Sequence, residues 1–189
     1  MSNQDVPITT VLKAMHRAMV VRPAETIARS LFILKGKASP ADMRGSPATV
    51  VTLAVLWIGT SSLFDLHGGT RPLLPYFGAF FEVFAWTFLL RWITSMAGHA
   101  ERYWKTWMAV AGVSIIVWLI GVALFTVGAS REVAFITTYL VAVRGIGVTL
   151  KDATGDLMQY PYGTTGLTLF LIGFFSFSLN LSIVKLFLV

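Results

Sequence analysis

Glu82 is the residue of this chain whose type and position most clearly suggest chemistry. It lies within an apolar stretch, seven residues after Pro75, which places it ~10 Å along a helix from that end. If the helix crosses a bilayer, an ionised carboxylate at this depth costs ~2.5–3.5 kcal/mol unless it pairs or takes up a proton. Glu82 therefore predicts a buried ion pair or a protonatable site.

Lys185 and Asn180, in the last apolar run, belong to the same hypothesis. Lys185 shares a helical face with Ser178 and Ser182, and Asn180 lies on a neighbouring stripe of small residues. A static Glu82–Lys185 ion pair that fixes helix register is one interpretation, and a proton or substrate site is the second. In a third, Lys185 extends to the lipid headgroups.

Arg91 and Arg144 form a second candidate site, because each lies within about two helical turns of the end of an apolar run. Their long side chains can reach lipid headgroups from that depth. Alternatively, they bind an anionic headgroup or a partner's carboxylate. Asp152 and Asp156 could also neutralise Arg144 without any ligand.

Several chemistries are not expected. The chain has no cysteine, which excludes thiolate ligands and cysteine nucleophiles. The histidines, His16, His67 and His99, all lie outside the apolar runs and on different predicted sides, so they cannot share a metal or a haem. No Walker loop, zinc-protease helix or Gly-x-Ser-x-Gly elbow is present. We predict no enzymatic activity, no catalytic residue, no metal and no cofactor.

The elements that would position these residues are five apolar runs in a chain of 189 residues that is 56% hydrophobic. Its mean hydropathy is +0.73. Each run is near the ~20 residues that a membrane-spanning helix needs. The sequence predicts an all-α, polytopic transmembrane helix bundle over residues 48–189, with spans at about 48–64, 76–98, 106–128, 133–150 and 166–189. The fourth run is short and contains Arg144, so four spans with a re-entrant segment is the alternative.

Residues 1–47 form a separate amphipathic segment and linker. Apolar side chains recur at helical spacing from Ile8 to Met19, Pro23 is typical of the first turn of a second helix, and Gly36 predicts its end. We predict helices that lie in the membrane surface with a basic face toward lipid phosphates, or that pack on the bundle or on a partner protein. The basic residues in question are Lys13, Arg17, Arg22 and Arg29. Because no aromatic residues interleave with them, nucleic acid is not an expected partner.

The charge distribution predicts an orientation. With the N-terminus inside, the inner segments hold ten Lys or Arg residues, and the outer loops hold only Arg71 and Arg131. Basic residues stay on the cytoplasmic side during insertion. We therefore predict an integral protein of a bacterial cytoplasmic membrane, with its N-terminus in the cytoplasm and its C-terminus outside.

The order of features resembles the Yip-domain family of five-span membrane proteins. The resemblance is carried by Arg22-Pro23-Ala24-Glu25-Thr26 ahead of the first span and by the polar stretch from His99 to Lys105 before the third. It implies a cytoplasmic N-terminal segment followed by five closely connected spans. In eukaryotes such proteins are associated with small GTPases and membrane trafficking, and the resemblance assigns no functional residue here.

Three functions are consistent with these features. The first is a non-enzymatic accessory or scaffolding subunit of a larger membrane complex, or a homo-oligomer. The second is a small transporter or channel component with Glu82 as its protonatable site. The third is a lipid- or pigment-binding subunit that uses Arg91 and Arg144. The expected partners are the lipid bilayer and other membrane protein subunits or further copies of the chain.

Overall fold

A computed structural model describes residues 8–67 and 74–154, and over these residues the predicted all-α fold is confirmed. The regular elements are helices joined by short turns. Two turns, Pro40–Asp42 and Ala100–Arg102, are single 3₁₀ turns. The helices are α1 (Ile8–His16), α2 (Arg22–Leu34), α3 (Pro47–His67), α4 (Leu74–Met96), α5 (Tyr103–Thr126) and α6 (Arg131–Thr154).

Four of these helices are long and apolar enough to cross a membrane, judged by length and composition. They are α3 to α6, and they correspond to the first four predicted spans. The 24 residues of α6 extend ~36 Å at 1.5 Å per residue, which exceeds the ~30 Å of a bilayer core. The fourth predicted span is thus long enough to cross fully. The fifth, 166–189, lies outside the described residues.

The N-terminal segment is one continuous helix rather than two separate ones. A π-helical turn, Arg17–Val21, joins α1 to α2, and the Arg22 N–H donates to the Arg17 carbonyl five residues back. Pro23 explains this turn, because proline has no N–H to donate to the preceding turn and crowds it. A wider turn accommodates that loss without ending the helix. We call the whole of Ile8–Leu34 the N-terminal helix.

Local hydrogen bonds set the ends of several helices. At the start of α3, the Ser46 N–H donates to Thr49 Oγ1 at 3.2 Å, and the Thr49 N–H donates to Ser46 Oγ at 3.3 Å. This reciprocal pair satisfies backbone N–H groups that a first helical turn leaves open. Gly36 has a φ of +68° just after α2, so the predicted glycine stop is confirmed.

Helix α5 is the centre of the bundle. Its residues from Thr106 to Val117 are all buried, and α2, α3, α4 and α6 all pack around it. Aromatic contacts join α3 to α5, with ring centroids 6.3 Å apart for Trp57–Trp107 and 5.0 Å apart for Phe64–Trp118. We call the end where α3 and α5 begin the basic end, and the end where they finish the opposite end.

Helix α2 packs on α5 through a glycine. A Cβ at Gly112 would overlap Ser30 Oγ and lie 3.0 Å from Ser30 Cβ, so only a glycine allows this approach. The buried Ser30 hydroxyl donates to the Thr26 carbonyl at 2.9 Å, which satisfies it within its own helix. Gly112 lies ~13 Å along α5 from Tyr103, so α2 covers α5 well inside its length. In contrast, α1 buries no residue.

Candidate functional site around Glu82

The Glu82 side chain faces α3. The Ser61 hydroxyl donates to Glu82 Oε2 at 3.0 Å. Ala79, one turn earlier on α4, is 1% exposed and Val83 is 8% exposed, so this side of α4 packs into the bundle. The carboxyl group therefore lies at the α3–α4 contact.

One face of α3 supplies much of the surroundings of this carboxyl group. Trp57, Ser61 and Asp65 follow one another at intervals of four residues, which places them on one helical face. Trp57 is fully buried, whereas Asp65 is half-buried near the end of the helix. The Asp65 carboxylate repels negative charge on Glu82. Arg131, the first residue of α6, attracts the Asp65 carboxylate.

Two indole N–H groups lie near the same carboxyl group. They belong to Trp57 on α3 and Trp118 on α5. Neither completes a hydrogen bond, and both nitrogens are buried without another partner in the described part of the chain. A buried donor without an acceptor costs free energy. These two groups are therefore available to Glu82 if its carboxyl group changes orientation or charge.

No cation of residues 8–67 or 74–154 lies within ion-pair distance of Glu82. The ion pairs found there join Arg22 to Glu25, and Glu101 to His99 and Arg102. Lys185 and Asn180, the two predicted neighbours of Glu82, lie outside the described residues. The Glu82–Lys185 ion pair thus stays a prediction, and the described surroundings of Glu82 are uncharged donors and a second carboxyl group.

The two arginines of the second candidate site are both exposed. Arg144 Nε donates to the carbonyl of Leu34 at 3.1 Å, at the end of α2. The last carbonyls of a helix lack intrahelical donors, so Arg144 stabilises the docked end of the N-terminal helix. The Asp152 carboxylate accepts a hydrogen bond from the Ser39 hydroxyl at 3.0 Å. The positive charge of Arg91 interacts with the Tyr103 side chain. Headgroup binding by Arg91 stays a prediction.

The four basic residues predicted to bind the membrane surface divide into two pairs. Lys13 and Arg17 are exposed in the first half of the N-terminal helix. Arg22 Nη1 lies 3.4 Å from Glu25 Oε2, and Arg29 Nη1 donates to the Asp42 carbonyl at 2.8 Å. Arg29 therefore helps to hold α2 against the following turn, and membrane-surface binding by Lys13 and Arg17 stays a prediction.

Sequence reasoning missed most of the neighbours of Glu82. The first predicted span ends at about residue 64, but Asp65 belongs to the last turn of α3. The spacing of Trp57, Ser61 and Asp65 was a usable signal, since polar residues one turn apart within an apolar run indicate a shared buried face. Trp118 gave no such signal because its helix is apolar on all sides. Within the described residues, no three histidine or acidic side chains cluster to hold a metal ion.

Comparison with known proteins does not assign the chain to a family. No protein-family model matches it, and neither the characterised proteins nor the solved structures include a significant match.

Proposed function

We propose that this chain is a non-enzymatic, multi-pass membrane protein in which Glu82 takes up and releases a proton, as the functional group of a small transporter or channel component. The observation that supports the proposal is the set of groups around the carboxyl group. In the described part of the chain they are the Ser61 hydroxyl, the indoles of Trp57 and Trp118 and the Asp65 carboxyl group, with no cation in contact.

This arrangement suits both protonation states of a carboxyl group. The Ser61 hydroxyl can donate to an ionised carboxylate or accept from a protonated one. The two indole N–H groups can only donate, so they favour the ionised form when they reach it. Because Glu82 has a hydrogen-bonding partner in either form, it can change its charge inside the bundle.

Difference infrared spectroscopy on the full chain in lipid bilayers tests the proposal. Acidification should produce C=O stretching bands of protonated carboxyl groups, and E82Q should remove the band that belongs to Glu82. The amide keeps the size and hydrogen-bonding capacity of the side chain, so the fold should persist. The matched control is E132Q, because Glu132 is an exposed glutamate at the opposite end, and it should leave the band unchanged. A band of equal size in E82Q, or no band in the unaltered chain, would contradict the proposal.

An accessory or scaffolding subunit is the second candidate, favoured by one face of α4. This face exposes aromatic side chains at intervals of three or four residues, each 47–71% exposed in the described structure. Such a stripe can contact lipid, but it also matches the spacing with which one helix packs along another. We define this α4 aromatic face as Phe77, Phe81, Phe84, Phe88 and Trp92.

Gentle extraction followed by native mass spectrometry distinguishes contact with lipid from contact with another protein subunit. If the α4 aromatic face binds a partner subunit or a second copy, the unaltered chain should be recovered as a complex. F84L with F88L should then release the monomer, because leucine keeps the face apolar but changes its shape. F135L on α6 is the control, since Phe135 is also exposed. A lone monomer from the unaltered chain would count against a partner subunit or a second copy on this face.

A further inference from the structure

Asp65 occupies the position between Glu82 and the opposite end of the bundle. It is followed on α3 only by Leu66 and His67, and it is half-buried. Ser61 lies one turn deeper on the same face, and its hydroxyl is bonded to Glu82 Oε2 at 3.0 Å. Three oxygen-bearing groups thus follow one another from the end of α3 to the α3–α4 contact.

We propose that Asp65 is the entry residue through which protons pass, by way of the Ser61 hydroxyl, between the water at the opposite end and Glu82. This inference rests on the proposed function, since it requires that Glu82 changes its protonation state. The inference specifies that protons reach Glu82 from the opposite end of the bundle. It also assigns Asp65 and Ser61 as the two residues that position the proton on the way.

The transfer conserves protons at each group. Asp65 takes a proton from water and gives it to the Ser61 oxygen, while the Ser61 hydroxyl gives its own proton to Glu82 Oε2. Protonated Glu82 then donates to the Ser61 oxygen, and after Glu82 has released its proton, rotation of the Ser61 hydroxyl restores the starting hydrogen bond. A serine can serve in this way because it donates and accepts at the same atom, and a relay group must lie within hydrogen-bond reach, directly or through one water.

The charged groups around Asp65 are compatible with an entry site. On α3 the neighbouring titratable group is His67, and at the start of α6 the charged residues are Arg131 and Glu132. On the described part of α4 the only acidic side chain is Glu82, and α5 carries no charged residue from Gly112 to Thr126. Arg131 is a cation that faces Asp65 in the described part of the chain.

Time-resolved infrared spectroscopy tests this route on the full chain in bilayers. After mixing with D₂O, the Glu82 carboxyl band should shift as its proton exchanges for deuterium. D65N and S61A should each slow that exchange by about 10²-fold, the lower range for loss of a positioned proton-transfer group. S61T, which keeps a hydroxyl, should restore the rate, and E101Q, at an exposed glutamate of the basic end, should leave it unchanged.

The outcomes separate the two proposals. If Asp65 influences Glu82 only through its charge, D65N will change the fraction of Glu82 that is protonated but not the exchange rate at equal protonation, and the route is then wrong. A Glu82 band with an unchanged exchange rate in D65N and S61A also overturns the route, while the proposed function stands. Absence of the band in the unaltered chain overturns the proposed function itself.

Discussion

Replacing Trp57 with alanine is expected to lower the free energy of unfolding in mixed micelles by about 3–5 kcal/mol. Trp57 is fully buried, and its ring lies 6.3 Å from that of Trp107 on α5. Alanine would leave a cavity at the junction of α3 and α5, where the neighbouring rings lose their contacts. Detergent denaturation monitored by circular dichroism measures the loss.

Two variants control for this result. W57F keeps an aromatic ring and should retain much of the stability, although it removes the indole N–H near Glu82. Trp92 is 55% exposed on α4, so W92A removes the same side chain without opening a cavity in the core. If W57A and W92A lose equal stability, Trp57 does not contribute to the core as described.

Replacing Gly112 with alanine is expected to cost about 1–3 kcal/mol and to separate the N-terminal helix from α5. The new methyl group would overlap the Ser30 hydroxyl. Ser30 cannot simply turn away, because its Cβ also lies 3.0 Å from the position of the added carbon. The stability of the variant in mixed micelles measures the cost, and faster proteolysis within residues 35–46 would report the undocking of α2.

Gly59 provides a matched control for Gly112. Both are glycines inside helices, but a Cβ at Gly59 meets nothing within 4 Å, so G59A should be neutral or slightly stabilising. S30G should partly rescue G112A, since it removes the atoms that the new methyl group meets, and the double-mutant cycle should show coupling. Independent effects of S30G and G112A would mean that these residues do not meet.

Much of the architecture could be predicted from the sequence because the bilayer imposes a simple length rule. An apolar run of ~20 residues can satisfy its backbone polar groups in a membrane only as a helix or in a barrel. The runs beginning at Ala48, Tyr76, Thr106 and Val133 therefore anticipated α3 to α6. The boundaries of α6 differ from the prediction because its polar ends, Arg131 and Lys151, were placed in loops.

The helix contacts could not be predicted in the same way. Lipid tails are as apolar as a protein core, so hydropathy does not distinguish a lipid-facing side from a buried one. Leu53 and Val55 are both apolar residues of α3, yet Leu53 is fully buried and Val55 is 62% exposed. The central position of α5 and the cluster around Glu82 depend on such contacts. Gly112 packs against Ser30, and this pairing of residues could not be identified from the sequence.

The contact between Ser30 and Gly112 has a consequence for biosynthesis. The N-terminal helix is translated first, but the glycine on which it docks follows roughly 80 residues later, a delay of ~4–16 s at ordinary rates of synthesis. We expect the helix to wait at the membrane surface during this interval, held there by its exposed apolar side chains and by Lys13 and Arg17. The surface-bound and bundle-packed arrangements of this segment would then be successive stages in the maturation of one molecule.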